Sequence, residues 1–291
     1  MKAIEVTYRY DGRKTAVAPR PANADAARRR LDEGSRSIGA LLDAAGQDGD
    51  DVVRRIIHVD PRDLGLATDV GGAPRQRPYA AVLGCSDARV PIELIFNEGP
   101  NDLFVVRVAG NGLGGEVLGS LKYAVDHLGK SLKLIVVLGH SGCGAVSAAV
   151  DVFLDPRSYL ALATDHALRG ILDRILVVIQ AAAKALSSAY GSDVTTRTGY
   201  RAALIESVCV TNAALAAHAL QQHLGPVAEG LRAAYGVYLL ETRAIWAPRD
   251  GSEECEGLAW APGKVAAFDG FSASVVRSAR IRSFLTGDST P

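Results

Sequence analysis

Apolar and polar positions change rhythm several times along the chain, and each change predicts a different element. In the first ten residues Ile4, Val6, Tyr8 and Tyr10 alternate with mostly polar neighbours, the period of a strand with one covered face. A Pro- and Ala-rich stretch around Pro19 to Pro21 breaks that alternation, so residues 1–23 are expected to form a small N-terminal appendage. From Ala24 to about Leu42 the pattern is helical, with an interruption expected at Gly34, and "DAAGQDGDD" after it is a polar loop. Three later segments are short and continuously apolar: "YAAVLG" from Tyr79, "DLFVVRVAG" from Asp102 and "LKLIVVLG" from Leu132. Between the last two, Val117, Leu118, Leu121, Val125 and Leu128 recur at helical spacing, and Gly129 closes the segment like a helix cap. A strand, helix, strand unit gives parallel strands buried on both faces, which explains why these runs do not alternate. The expected fold is α/β, a central mostly parallel sheet flanked by helices. It forms one domain over residues 24–291, with an unusual C-terminal tail from about residue 247.

In open parallel sheets ligands sit outside the carboxyl ends of the strands. Two strand ends here carry candidate metal ligands, in "LGCSDARVP" from Leu83 and "LGHSGCGAV" from Leu138. Each Gly removes a side chain where backbone must approach closely, and Cys143 follows His140 by three residues, a spacing that brings both to one ion. Two thiolates and one imidazole leave a fourth tetrahedral position open, the pattern of a catalytic zinc site. Asp87 and Arg89, on the loop leaving the first strand, can place a carboxylate beside the metal and a two-pronged guanidinium behind it.

Composition changes this picture little. The 291 residues are 48% hydrophobic and 22% charged, with ample apolar material for a core. Equal numbers of basic and acidic side chains, 32 of each, give no field that would draw nucleic acid or an anionic membrane, so neither is expected as a partner. No apolar run is expected to span a membrane and the N-terminus lacks a signal-peptide core, so the expected address is cytoplasmic. Four cysteines are too few for a disulfide scaffold. Cys209 is expected in the core and Cys255 in an exposed loop. His58, His127, His166, His218 and His223 are expected to satisfy local hydrogen bonds or face solvent. The Gly-rich "GNGLGGEVLG" lacks the Lys-Ser/Thr ending of a phosphate-binding loop and reads as the start of a helix.

With "CSDAR" at Cys85 and "HSGCG" at His140, the sequence resembles the β-class carbonic anhydrases, whose signature pairs Cys-x-Asp-x-Arg with a later His-x-x-Cys. The resemblance runs from about Ala24 to Trp246 and includes "DAARRRLDEGSRSIGAL", "DLFVVRVAGN", "GSLKYAVDHLG" and "EGLRAAYGVYLLETRAIW". It implies one zinc per chain held by Cys85, His140 and Cys143, with Asp87 bonded to the metal's water or ligating the metal, and Arg89 holding Asp87. It further implies that Gln76 donates to a substrate oxygen and that Phe104 and Tyr123 line the substrate pocket. Ala88 replaces the usual Ser and Val108 the usual Asn of "RNAGN", while Val82 stands where bicarbonate-regulated members tend to have a Trp. Tyr159 to Tyr190 and the tail after Trp246 depart from the pattern.

The function implied is reversible hydration of carbon dioxide to bicarbonate and a proton, zinc making hydroxide available at neutral pH, in a homodimer or higher homo-oligomer. Two alternatives stand beside it: a hydrolase of carbonyl sulfide or carbon disulfide on the same scaffold, and a zinc-binding structural or regulatory relative without turnover.

Overall fold

The computed structural model describes residues 1–10, 18–66, 73–159, 166–248, 256–264 and 267–287. Cys255 therefore lies outside the described residues. Strand β1 (Ala3–Tyr10) pairs in parallel with β2 (Val52–Val59), Ala3 opposite Val52 and Tyr10 opposite Val59. Between them runs helix α1 (Ala24–Gly46), capped by the Asn23 side chain, which accepts from the Ala26 N–H at 2.9 Å. Gly34 does not interrupt α1. A Cβ at this position would lie 1.9 Å from the Phe96 carbonyl oxygen, so the glycine serves close packing of the helix and not its termination.

The main sheet has the order β4-β3-β5-β6-β7: β3 (Ala80–Gly84), β4 (Leu103–Arg107), β5 (Leu134–His140), β6 (Arg232–Tyr238) and β7 (Ile245–Trp246). The first four strands are parallel; β7 and β8 (Ala259–Trp260) pair antiparallel with β6. The helices are α2 (Ile92–Ile95), α3 (Gly115–Leu128), α4 (Gly144–Leu154), α5 (His166–Tyr190), α6 (Tyr200–Leu224), α7 (Ala267–Arg277) and α8 (Ala279–Thr286).

Both faces of the parallel strands are covered, as their continuous apolar runs require. Ala81, Leu83, Ile135 and Val137 pack among residues of α3, α4, α5 and α6. Their neighbours Ala80, Val82, Leu134, Val136 and Leu138 pack against Ala27 and Leu31 of α1 and Ile92 and Ile95 of α2. Each fully buried aliphatic side chain in these layers contributes roughly 1.5–3 kcal/mol. Gly129 keeps right-handed backbone angles (φ −56°) and so is not a left-handed cap.

No uninterrupted apolar run spans α6, yet the helix is long and apolar enough on average to cross a membrane by length and composition. It is a central helix of this fold, with 89% of its most apolar window buried inside the protein.

Candidate metal centre

Register brings the two signature loops together. Gly84 of β3 stands opposite Leu138 of β5, so Cys85 emerges from the sheet edge where His140 ends the neighbouring strand. At Gly84 a Cβ would meet the end of the Ile92 side chain at 2.5 Å and would have to displace it. Gly139 lets α6 approach, since its Cβ would lie 3.2 Å from the Cys209 carbonyl. The chain then turns through Gly142 in the left-handed region (φ +58°), placing Cys143 at the start of α4.

Cys85, His140 and Cys143 are all buried, their ligand atoms lie within 4.8 Å of one another, and the two Sγ atoms are 3.9 Å apart. Zinc–sulfur bonds of about 2.3 Å in a tetrahedron require sulfurs about 3.8 Å apart, so the pair is already spaced for the ion. His140 Nδ1 is 3.0 Å from the Ser141 carbonyl. That contact makes Nδ1 the N–H donor and leaves Nε2 a bare lone pair, and Nε2 is buried with no hydrogen-bond partner. A buried acceptor facing two thiols fits a soft, borderline cation such as zinc.

The electrostatics favour one anionic ligand, Cys85, while the hydrogen bond to Cys85 and burial push the Cys143 thiol up. Cys143 donates to Cys85 and holds its thiol well below the ordinary range, at about 4, helped by the backbone N–H groups of Asp87 and Gly110. Burial works against this. The Gly110 N–H donates to the sulfur at 3.4 Å.

Asp87 sits at the rim, its Oδ2 3.8 Å from His140 Nε2. Arg89 grips the carboxylate three times: backbone N to Oδ1 at 2.9 Å, Nε to Oδ1 at 3.0 Å and Nη2 to Oδ2 at 2.7 Å. Those bonds hold the Asp87 carboxyl well below the usual carboxylate range.

The residues expected on the substrate side, Gln76, Phe104 and Tyr123, are not brought to this centre within one chain. Gln76 is exposed and precedes β3 at the opposite sheet edge, where Arg77 N–H donates to Asn101 Oδ1 at 2.9 Å ahead of β4. Phe104 lies opposite Ala81, in the first half of β4, packed into the core. Tyr123 is 50% exposed on α3, its ring 4.6 Å from that of His127. Elsewhere, Cys209 is buried as expected, His223 is exposed and His218 Nδ1 lies 2.6 Å from the Pro262 carbonyl. His58 departs from expectation, because its Nδ1 is buried without a partner.

Arg107 was missed by the sequence reading. Its Nε donates to the Cys85 carbonyl at 3.0 Å and its Nη2 to the Asp87 carbonyl at 2.6 Å, so one guanidinium ties down the whole loop. The available signal was a charge ending the apolar run "LFVVR", opposite Gly84. Behind Gly110, the Asn212 side chain donates to its carbonyl at 2.9 Å.

Residues 80–235 match the family model described as carbonic anhydrase, more than half of the chain. Two proteins named carbonic anhydrase 2, from two strains of Mycobacterium tuberculosis, are 51% identical over 85 residues, covering 29% of this chain and 40% of theirs. A carbonic anhydrase of Mycolicibacterium smegmatis is 53% identical over 75 residues, covering 26% of this chain and 35% of its own. The matched part thus spans less than half the length of these relatives. Among solved structures, a study of two tetrameric β-carbonic anhydrases from Sordaria macrospora includes a chain with 23% identity and a TM-score of 0.42, over 59% of this chain and 80% of that one. The chain belongs to the β-class carbonic anhydrase family.

Proposed function

We propose that the protein catalyses the reversible hydration of carbon dioxide to bicarbonate and a proton, with zinc held by Cys85, His140 and Cys143. The observation that carries this reading is a buried three-ligand set of the right spacing with a braced carboxylate at its open side. A purely structural site closes its fourth position with another protein ligand and has no use for a charged rim. Bound there, zinc supplies the Lewis acidity that makes hydroxide available near neutral pH.

The chain's own residues do the rest. Asp87, ionised at neutral pH and held in place by Arg89, is an acceptor only: it orients the attacking oxygen by taking its hydrogen bond and cannot protonate it. Two thiolates donate more charge to a metal than neutral imidazoles do, so the acidifying effect is smaller and orientation by Asp87 counts for more. Arg107 fixes the backbone on which Cys85 and Asp87 both stand. The released proton leaves to solvent buffer.

Assembly belongs to the same reading. β4 is the edge strand of the main sheet among the described residues, with Leu103 to Val106 only partly covered, and Gln76 and Tyr123 lie away from their own chain's centre. A second copy docked at this edge would supply the missing substrate wall. The test is elemental analysis, sedimentation and stopped-flow hydration on one preparation, with Cys143→Ala in parallel. About one zinc per chain, lost in Cys143→Ala together with carbon dioxide hydration, in an oligomer, is the expected result. Stoichiometric zinc retained by Cys143→Ala would refute the ligand assignment. Turnover of carbonyl sulfide but not of carbon dioxide would replace the substrate, and a fully active monomer would remove the assembly.

A further inference from the structure

The loop from His140 to Cys143 is braced by groups from three distant parts of the chain. On α6, Glu206 is buried and its Oε1 accepts the Gly142 N–H at 2.8 Å. Just beyond β6, Glu241 accepts the Ser141 hydroxyl at Oε2, also at 2.8 Å, and that hydroxyl oxygen in turn accepts the Leu240 N–H at 2.9 Å. Each carboxylate thus spends one oxygen on the ligand loop. The other oxygens go to a single side chain: Arg280 of α8 donates Nη2 and Nε to Glu206 Oε2 at 2.7 and 3.2 Å, and its Nη1 lies 2.6 Å from Glu241 Oε1. Its guanidinium lies 5.9 Å from the Trp246 ring and 5.7 Å from that of Phe284, with only 13% of the side chain exposed.

A planar fork with donors on both edges can hold two carboxylates at a fixed angle. Unpaired, two neighbouring carboxylates, one of them buried, would repel each other and the Glu206 hold on Gly142 would lose its anchor. Gly142 carries the left-handed turn on which the three-residue spacing of the two ligands depends, so slack there spreads directly to Nε2 and Sγ.

We propose that Arg280 is a positioning residue for the metal centre: through Glu206 and Glu241 it holds the Ser141–Gly142 turn so that His140 and Cys143 face Cys85 before the ion arrives. Arg280 lies beyond residues 80–235, so this brace is supplied by the tail of this chain. The proposal rests on the reading that these three residues bind zinc.

The test uses the full-length protein, stripped and titrated with zinc against a competing chelator, and loaded separately with cobalt(II) for its absorption spectrum. Arg280→Ala is expected to weaken zinc binding about tenfold, the low end for loss of an outer partner of a metal ligand, and to alter the cobalt spectrum. Arg280→Lys should recover part of the affinity, because an ammonium holds one carboxylate well and two poorly. Arg282→Ala, an exposed position on the same helix, should match the wild type. A folded Arg280→Ala with wild-type zinc affinity and an unchanged spectrum would overturn the proposal, leaving a tail anchor that contributes only to melting temperature. Should that variant fail to fold, Glu241→Gln keeps the acceptor for Ser141 while dropping the charge that pairs with Arg280, and the same two readouts decide. A wild type that binds no zinc would sink the metal-centre reading itself, an outcome distinct from equal binding by wild type and variant.

Discussion

Replacing Arg89 by Ala should leave zinc in place and slow hydration. Alanine keeps the backbone N–H that donates to Asp87 Oδ1 at 2.9 Å, but loses the 3.0 Å and 2.7 Å guanidinium bonds. The Arg89 side chain is 62% exposed and that of Asp87 17%, so the lost pair is a solvent-screened contact, far weaker than a buried bridge. By itself that changes the population of the held orientation only modestly. The freed carboxylate has a second effect, because its Oδ2 already lies 3.8 Å from His140 Nε2 and a modest rotation carries it toward the fourth coordination position. A misplacement of about 1 Å can cost a hundredfold, so the expected fall is several-fold and reaches at most about 100-fold. Protonation of Asp87 is no alternative explanation: without Arg89 its pKa rises at most toward the ordinary 3.8, and the group stays ionised at neutral pH. Arg89→Lys should recover only part of the rate, since an ammonium cannot make the planar double contact. The assay is zinc content and stopped-flow rate on the same sample. Near-normal turnover in zinc-loaded Arg89→Ala would refute the reasoning, and loss of zinc along with the rate would move Arg89 from orienting the carboxylate to retaining the metal.

Two further outcomes concern the frame. Gly34→Ala places a Cβ 1.9 Å from the Phe96 carbonyl oxygen and should destabilise the fold by about 3 kcal/mol, read as a lower urea midpoint; an unchanged midpoint would mean that α1 shifts freely. Glu98 is buried against Arg30 and Tyr79, and burial raises its carboxyl to about 7 from 4.5. The folded state therefore binds this proton more tightly than the unfolded one. The stability it adds is complete below pH 4.5 and lost as pH rises through 7, a swing of at most about 3 kcal/mol. Glu98→Gln should flatten that dependence in denaturation curves taken on both sides of the window, and an unchanged slope would assign it to other groups.

The strands and the clustering of Cys85, His140 and Cys143 were legible because both rest on local signals. A parallel strand buried on two faces must be continuously apolar, and its ligand-bearing end is marked by the first functional residue after the run, so Cys85 and His140 could be placed on one sheet edge from sequence alone. Asp87 and Arg89 were legible for the same reason, their contact spanning two residues. Gly34 misled because a glycine inside a helical pattern ordinarily weakens the helix, whereas here the carbonyl that requires it belongs to residue 96. The strand at Ala3–Tyr10 was recognisable, but its partner was not, since parallel pairing with Val52–Val59 is closed through a helix and leaves no hairpin turn to read. Composition alone does not place α6, since apolar residues on nearly every side mark a helix enclosed by protein as well as one enclosed by lipid.

What remained illegible is the support of the triad, and the reason is geometric. A metal ligand is identified by donor chemistry and short spacing, but a side chain that orients a ligand need only be a common charged residue arriving from any element. Arg107 reaches back 22 residues to Cys85, and Glu206 reaches back 64 to Gly142. Arg280 then spans 74 residues to Glu206, from a helix that follows the last strand. Each of these pairs joins residues on different elements, so no periodic pattern along the chain distinguishes them from other basic and acidic side chains. They are set by topology: α6 packs against β5 and β6, β6 pairs with β5 as far as His140, and α8 packs against α6. In a cluster whose candidate ligands come from two strand ends, the donor set is therefore written locally, while its rigidity is distributed over elements that become neighbours only when the sheet is complete.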